Sequence, residues 1–392
     1  MLIRILAYFV PFAINFLSGG FFFITAYRFS EAGCSRTVTT CSIVAWGVAY
    51  CLLTMLVGKL ATVKRALPLI LAGGITLSLT SLGFIIFDGL YTQFLWLIFA
   101  GFGAALFCTP FQLLAKDIES GTNKGVVSAT AFYTLTWSCG LASGPLAFAR
   151  FTLRQGFFIT MFLAIAVTLS VILIALLRPK KAAAQAAEIT PAAPAQFSIK
   201  TYDKLAVLGW IVGGLGTVTV CQIRALWPKL GFELDIPKHH NAYILALVSY
   251  TQAVTALLLC RSKSWMWKRL PAVLMGMCGV ATLLSFAFVP VFTHHVAAFY
   301  IISGVYGIYS GCFYFYLVYH SLAHPVRSSF YVTGNEIIVG ITSIAAPLLG
   351  GFLADVSGHT ESAFIFAATV AAAAFIIQMI VLRPSNIAGE TK

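Results

Sequence analysis

Glu336 is the residue whose placement asks for the strongest chemical reason. It is the single acid inside a long apolar block of this chain. A membrane-embedded carboxylate costs up to roughly 2.5–3.5 kcal/mol on insertion scales. Glu336, Gly340, Ser343, Pro347 and Gly350 share one helical face. A face of small residues meets other helices and not lipid. About six residues into its block, at 1.5 Å per residue, Glu336 lies roughly 9 Å from one end. Three readings are open. It pairs with a base of the short loop carrying Lys59, Lys64 and Arg65, or it is a protonation site, or it is solvated in a vestibule.

Other polar residues fall into stripes at helical spacing. Pro11, Asn15, Ser18, Phe22 and Thr25 form one; Trp210, Gly213, Thr217, Cys221 and Arg224 form a second. Tyr306, Tyr309, Phe313, Tyr316 and His320 form an aromatic third, and Thr109 and Gln112 stand on a fourth segment. The tyrosines suit either a polar cavity or packing between helices. Arg224 suits either an anionic ligand or a base reaching the interface. Behind the aromatic stripe, Gly304, Gly307 and Gly311 suit close helix packing. His239, His240, His294, His295 and His359 lack the spacing of a metal site. No phosphate-binding loop, nucleophile elbow or HExxH is present, so chemistry driven directly by nucleotide is not expected of this chain.

The elements that must position these residues are membrane helices. Of 392 residues 60% are hydrophobic and only 9% charged, and the apolar residues come in long blocks. A bilayer core takes about 20 apolar residues per helix, and only helices or closed barrels satisfy the backbone there. The alternation of a barrel is absent. Twelve spans are predicted, at 5–27, 37–57, 68–87, 92–115, 126–149, 156–177, 205–227, 241–260, 271–289, 296–320, 330–353 and 362–382. The one long polar gap, 178–204, is rich in Ala and Pro and reads as a tether between bundles 1–177 and 205–392. The net charge of +13 belongs to topology rather than to nucleic acid, because the bases sit in short loops. With the N-terminus inside, only Arg28, Arg36, Arg150, Arg154, Arg224, Lys229 and Lys238 of the 25 bases fall outside. Both termini and the tether are therefore expected in the cytoplasm.

The two halves echo each other. Gly144-Pro145 and Ala346-Pro347 lie 202 residues apart, and so do Lys59 and Arg261. Such an offset suggests a parallel six-helix repeat with a site between the copies.

Six plus six spans, a basic central tether and short basic 2–3 and 8–9 loops resemble the major facilitator superfamily. Gly140-Leu-Ala-Ser-Gly144-Pro145 is similar to its GxxxGP signature, and Ala346-Pro347-Leu-Leu-Gly350-Gly351 partly so. Gly58, Lys59, Lys64 and Arg65 match its loop signature, with Thr62 at the acidic position. The resemblance implies an all-α polytopic transporter of two pseudo-symmetric bundles, with a cavity lined by spans 1, 4, 7 and 10. On that footing Asn15, Gln112, Thr217, Arg224, Tyr306, Tyr309 and Tyr316 are the expected cavity residues. Glu336 and His320 are the expected coupling groups, and Lys59, Lys64 and Arg65 the partners of a latch on Glu336. The expected partners are a small-molecule or ion substrate and the lipid bilayer. No cofactor, metal or nucleic acid is expected, and the protein is expected to act as a monomer. Short loops and the lack of an N-x-[ST] site point to a bacterial inner membrane. The rival reading is a polytopic membrane enzyme or sensor without transport.

Overall fold

Every predicted block forms one helix. The computed structural model describes residues 2–119, 125–177, 198–261, 265 and 269–382. The helices are α1 (Leu2–Glu31), α2 (Arg36–Leu60), α3 (Ala66–Ile86), α4 (Thr92–Glu119), α5 (Gly125–Arg150) and α6 (Leu153–Leu177), then α7 (Ile199–Glu233), α8 (Lys238–Leu259), α9 (Arg269–Phe292), α10 (Val296–Ala323), α11 (Ser328–Ser357) and α12 (Glu361–Val381). Eleven of them are long and apolar enough to cross a membrane. α5 is the more polar one. Its Thr130, Thr134 and Ser138 are buried against neighbouring helices, where hydroxyls meet protein and not lipid. Large apolar side chains such as Leu52, Leu79, Phe162, Leu176, Ile301 and Phe352 stand exposed on the outside. A surface of that kind suits hydrocarbon and not water. The chain is an all-α, multi-pass membrane protein.

Two helix boundaries move the chemistry. α7 starts at Ile199 and not near 205, because Ser198 caps it, accepting from Thr201 N at 3.2 Å. The remaining tether residues, 178–197, lie outside the described residues. α4 runs on to Glu119, four residues past the predicted end. This extension carries a second buried acid that the hydropathy pattern missed.

Packing repeats with a period of six helices. α1 packs on α5 and α6, and α3 on α4 and α6; α7 packs on α11 and α12, and α9 on α10 and α12. Between the two sets, α2 lies along α11 and α5 along α8, an exchange of equivalent helices. Small residues permit these approaches. A side chain at Gly140 or Gly144 of α5 would strike the backbone of α1 at Phe12 and Phe16. Gly340 of α11 faces Cys51 of α2, and Gly307 and Gly311 of α10 face Thr251 and Thr255 of α8. The GxxxGP-like segment therefore serves close packing of α1 on α5.

We call the end holding Arg4, the 61–65 loop and Glu119 proximal, and the end holding Cys34, Arg36 and Asp355 distal. At the distal end, α2 is tied across to the second set. Asp355 of α11 accepts from Arg36 N and Thr37 N, each at 2.9 Å. A carboxylate there satisfies orphan donors of the α2 N-terminus and opposes the positive end of its dipole. The Arg36 guanidinium meets Glu233 of α7 at 3.0 Å and Thr360 at 2.6 Å, and Thr360 donates to Glu233 at 2.6 Å. Lys229 donates to the Cys34 carbonyl at 3.1 Å.

At the proximal end, each set is tied to itself. Arg4 of α1 grips Glu119 of α4 with two bonds, at 2.7 and 3.0 Å, and Tyr8 adds a third at 3.2 Å. Asp203 of α7 accepts from Tyr331 at 2.5 Å and meets His324 Nε2 at 3.0 Å. His324 Nδ1 accepts from Val326 N and Arg327 N, so a neutral ring with its proton on Nε2 satisfies every partner.

Candidate functional site

A cavity of about 100 Å³ lies between the two helix sets. Its wall draws on α1, α2, α4 and α5 from one set and on α7, α10 and α11 from the other. That volume holds several waters or a small ligand. Asn15 and Ser18 of α1 line it, with Thr217 and Arg224 of α7 and Asn335 and Glu336 of α11. Two aromatic groups form its sides. Trp46 stacks on Tyr50 at 4.6 Å with Phe22 edge-on to it, and Trp137 stands edge-on to Tyr314 at 4.9 Å.

Glu336 sits toward the proximal end of the cavity wall, about 12 Å along α11 from Ser328 at the helical rise. It is only 8% exposed. Its Oε2 accepts from the Tyr50 hydroxyl of α2, and its Oε1 from Gln112 Nε2 of α4. Tyr133 of α5 lies 3.5 Å from the same amide nitrogen. A carboxylate of the second helix set is thus held by two helices of the first, with a third behind the Gln112 amide. This corrects the expected pairing with Lys59, Lys64 or Arg65. Those three bases are exposed, beyond the helix-buried carboxylate. The 61–65 loop meets α11 through neutral contacts instead. Ser329 lies 3.5 Å from the Ala61 carbonyl, and Gly58 packs on Thr333. Thr62 lies 3.3 Å from Arg65 N, at the start of α3, and carries no charge to exchange.

The aromatic stripe of α10 faces away from the cavity. Tyr306 bonds to Thr219 at 2.5 Å and packs on Phe286 of α9. Tyr309 and Tyr316 border a smaller void shared with α9 and α12. Glycines on the facing helices receive the rings: Gly279 takes Tyr309 and Gly216 takes Phe313. Ring-on-glycine packing buries apolar area without displacing the backbone, and it explains why the stripe turns inward to its own bundle. His320 ends that stripe, 2% exposed against Tyr316 and Tyr319, and so does not reach Glu336's cavity. The α10 residues that do line the cavity are Tyr314, Leu317 and Val318, one step around the helix. Gln112 lies just behind the wall, reaching it through Glu336. Arg224 lies inside the cavity wall and not at the interface, with its guanidinium 6.0 Å from the Trp137 ring.

The residues that the stripes missed share one trait. Trp46, Tyr50, Tyr133 and Trp137 come from α2 and α5, outside the spans 1, 4, 7 and 10 expected to line the cavity. Their signal in the sequence was large aromatics interrupting helices otherwise rich in Gly, Ala, Ser and Thr. No family model matches this chain, and no curated protein matches it.

Proposed function

We propose that the chain is a secondary transporter that moves a small solute by alternating access between its two six-helix sets. The observation that carries this reading is Glu336. An ionisable group of one set, beside a central cavity, is held entirely by polar side chains of the other. Intramembrane carboxylates are costly, and transport or proton relay is the usual reason for keeping one. Proximal is cytoplasmic on this reading, as the distribution of bases favours, and the membrane is a bacterial inner one.

Glu336 is then the coupling group. Ionised, its two oxygens accept from Tyr50 and Gln112. Protonated, one oxygen becomes a donor and both accept more weakly, so the bonds from Tyr50 and Gln112 lose their charge assistance. Gln112 Oε1 is buried without a partner, so an amide flip would turn an acceptor toward the new proton. Protonation therefore trades a tie between the sets for a different one and biases their relative position.

Spin labels test the alternation. One pair would sit at Glu31 and Ser357 on the distal end, the other at Thr62 and Val326 on the proximal end, all exposed positions. In proteoliposomes the distal distance should lengthen as the proximal one shortens. Glu336→Gln should fix that balance against pH. Distances that stay single-valued at both ends, in every variant and at every pH, would overturn the reading.

A further inference from the structure

The walls of the central cavity are unequally supplied with donors and acceptors, and this inequality speaks to the ligand. Several hydroxyl and amide donors are already committed. Thr217 donates to the Gly213 carbonyl at 2.7 Å, Ser18 to Ile14 at 3.2 Å and Asn15 to Pro11 at 2.8 Å. Asn335 accepts from Ser321 and donates to Leu317. Both Glu336 oxygens are taken. Among the fully buried polar atoms of these wall residues, those without a partner are N–H donors: the indole nitrogens of Trp46 and Trp137, and Nη2 of Arg224. Both tryptophans are 8% exposed. A buried donor without an acceptor costs about 1–3 kcal/mol, more when charged, and such groups are rare in folded proteins.

The charges are also set apart along the cavity. Arg224 stands toward the distal end of α7, and Glu336 toward the proximal end of α11. The Arg224 guanidinium faces Trp137, which meets Tyr314 edge-on. A ligand oxygen reaching this corner would satisfy Arg224 and Trp137 together, with ring surfaces left for an apolar body. The rest of the wall, with Ile14, Leu141, Leu317 and Val339, is apolar.

We propose that the cavity takes a small organic monoanion: one carboxylate received by Arg224 and the Trp137 N–H, on a flat apolar body held between the aromatic walls. Guanidinium offers paired donors that match a carboxylate, and indole offers a donor only. The inference rests on the transporter reading only in that it uses the same cavity.

Binding to purified protein tests it through tryptophan fluorescence and thermal shift. The probes are benzoate, its neutral isostere benzamide, its cationic counterpart benzylammonium, and the zwitterion 4-(aminomethyl)benzoate. Benzoate should bind at least tenfold tighter than the other three. Arg224→Gln should weaken benzoate by about ten- to hundredfold and leave benzamide unchanged. Trp137→Phe keeps the ring and removes the N–H; it should weaken benzoate by roughly threefold to tenfold. The smaller change guards against a fold defect in the arginine variant. Preference for benzamide or benzylammonium, or no binding of any probe, overturns the anion proposal. Preference for the zwitterion overturns it too, by making Glu336 a second recognition pole. Benzoate bound tightly but never moved into proteoliposomes overturns transport and leaves the ligand class standing.

Discussion

The two ends of the bundle hold their charges differently. At the distal end, ion pairs and charge-assisted hydrogen bonds run across the two helix sets, from Arg36 and Thr37 to Asp355, Glu233 and Thr360. At the proximal end, the polar ties among the described residues join helices of one set, Arg4 to Glu119 as an ion pair and His324 to Asp203 as a hydrogen bond. The proximal ties also mirror each other. The first and fourth helices of each set are linked, with a base on α1 and an acid on α7. A tie within a set stabilises that set and is indifferent to how the sets sit. A tie across the sets stabilises one arrangement of the two. The conformation seen is therefore one sealed distally by polar bonds, with neutral contacts alone joining α2 to α11 at the proximal loop.

This contrast can be broken at named residues. The largest effect should come from Arg4→Ala. Glu119 is fully buried, whereas Arg4 is 43% exposed. Removing the base leaves a fully buried carboxylate without its counter-charge, though still bonded by Tyr8, which costs about 3 kcal/mol. Glu119→Gln leaves only a half-exposed guanidinium and should cost far less. Thermal unfolding in detergent reads both, and the spin-label distances at either end should stay as they were. Equal costs for the two variants would contradict the burial asymmetry.

Asp355→Ala comes next, at roughly 1–2 kcal/mol, since two charge-assisted bonds are lost at a partly exposed site. The loss should appear as distal opening and hardly at all as unfolding. A cysteine at position 217 on a cysteine-free background should then react with an impermeant maleimide about tenfold faster from the distal side. If unfolding shifts and labelling does not, the distal network is only structural. Glu233→Gln should act in the same direction at about 0.5–1 kcal/mol, because Arg36 keeps its bond to Thr360. Its effect should shrink at high salt in the wild-type background, where the pair is already screened. The smallest effect belongs to the loop. Replacing Lys59, Lys64 and Arg65 together by Gln should leave labelling at 217 unchanged, because Glu336 is held by Tyr50 and Gln112. A clear change would restore the loop bases to the gate.

What the amino-acid order determined alone is the helical scaffold. Apolar blocks of membrane length specify helices because the backbone has no other way to satisfy itself in hydrocarbon. The polar gap at 178–204 divides the chain by composition, and the paired prolines Pro145 and Pro347 suggest the repeat. Glu336 stood out because an acid in such a block is expensive. Helix ends were less legible than helix middles. Ser198 was overlooked, and Glu119 lay beyond the last apolar residue of its block, so neither boundary was visible to hydropathy.

Only the tertiary structure decided which face of each helix meets the cavity. The stripe Tyr306, Tyr309 and Tyr316 and the neighbouring Tyr314 are equally aromatic, and they differ by a rotation of about 100°. What separates them is the partner surface: glycines such as Gly279 and Gly216 offer room to one face, while Thr217 and Arg224 lie beside Tyr314. Likewise, Glu336 was legible as a charge in need of a partner. That its partners are a tyrosine and an amide of the other set, and not a loop base, follows from the register of α2 against α11. Gly340 on Cys51 and Gly58 on Thr333 set that register, bringing Tyr50 level with Glu336. Registers between helices depend on close contacts between residues far apart in sequence, and a single helix's pattern does not contain them.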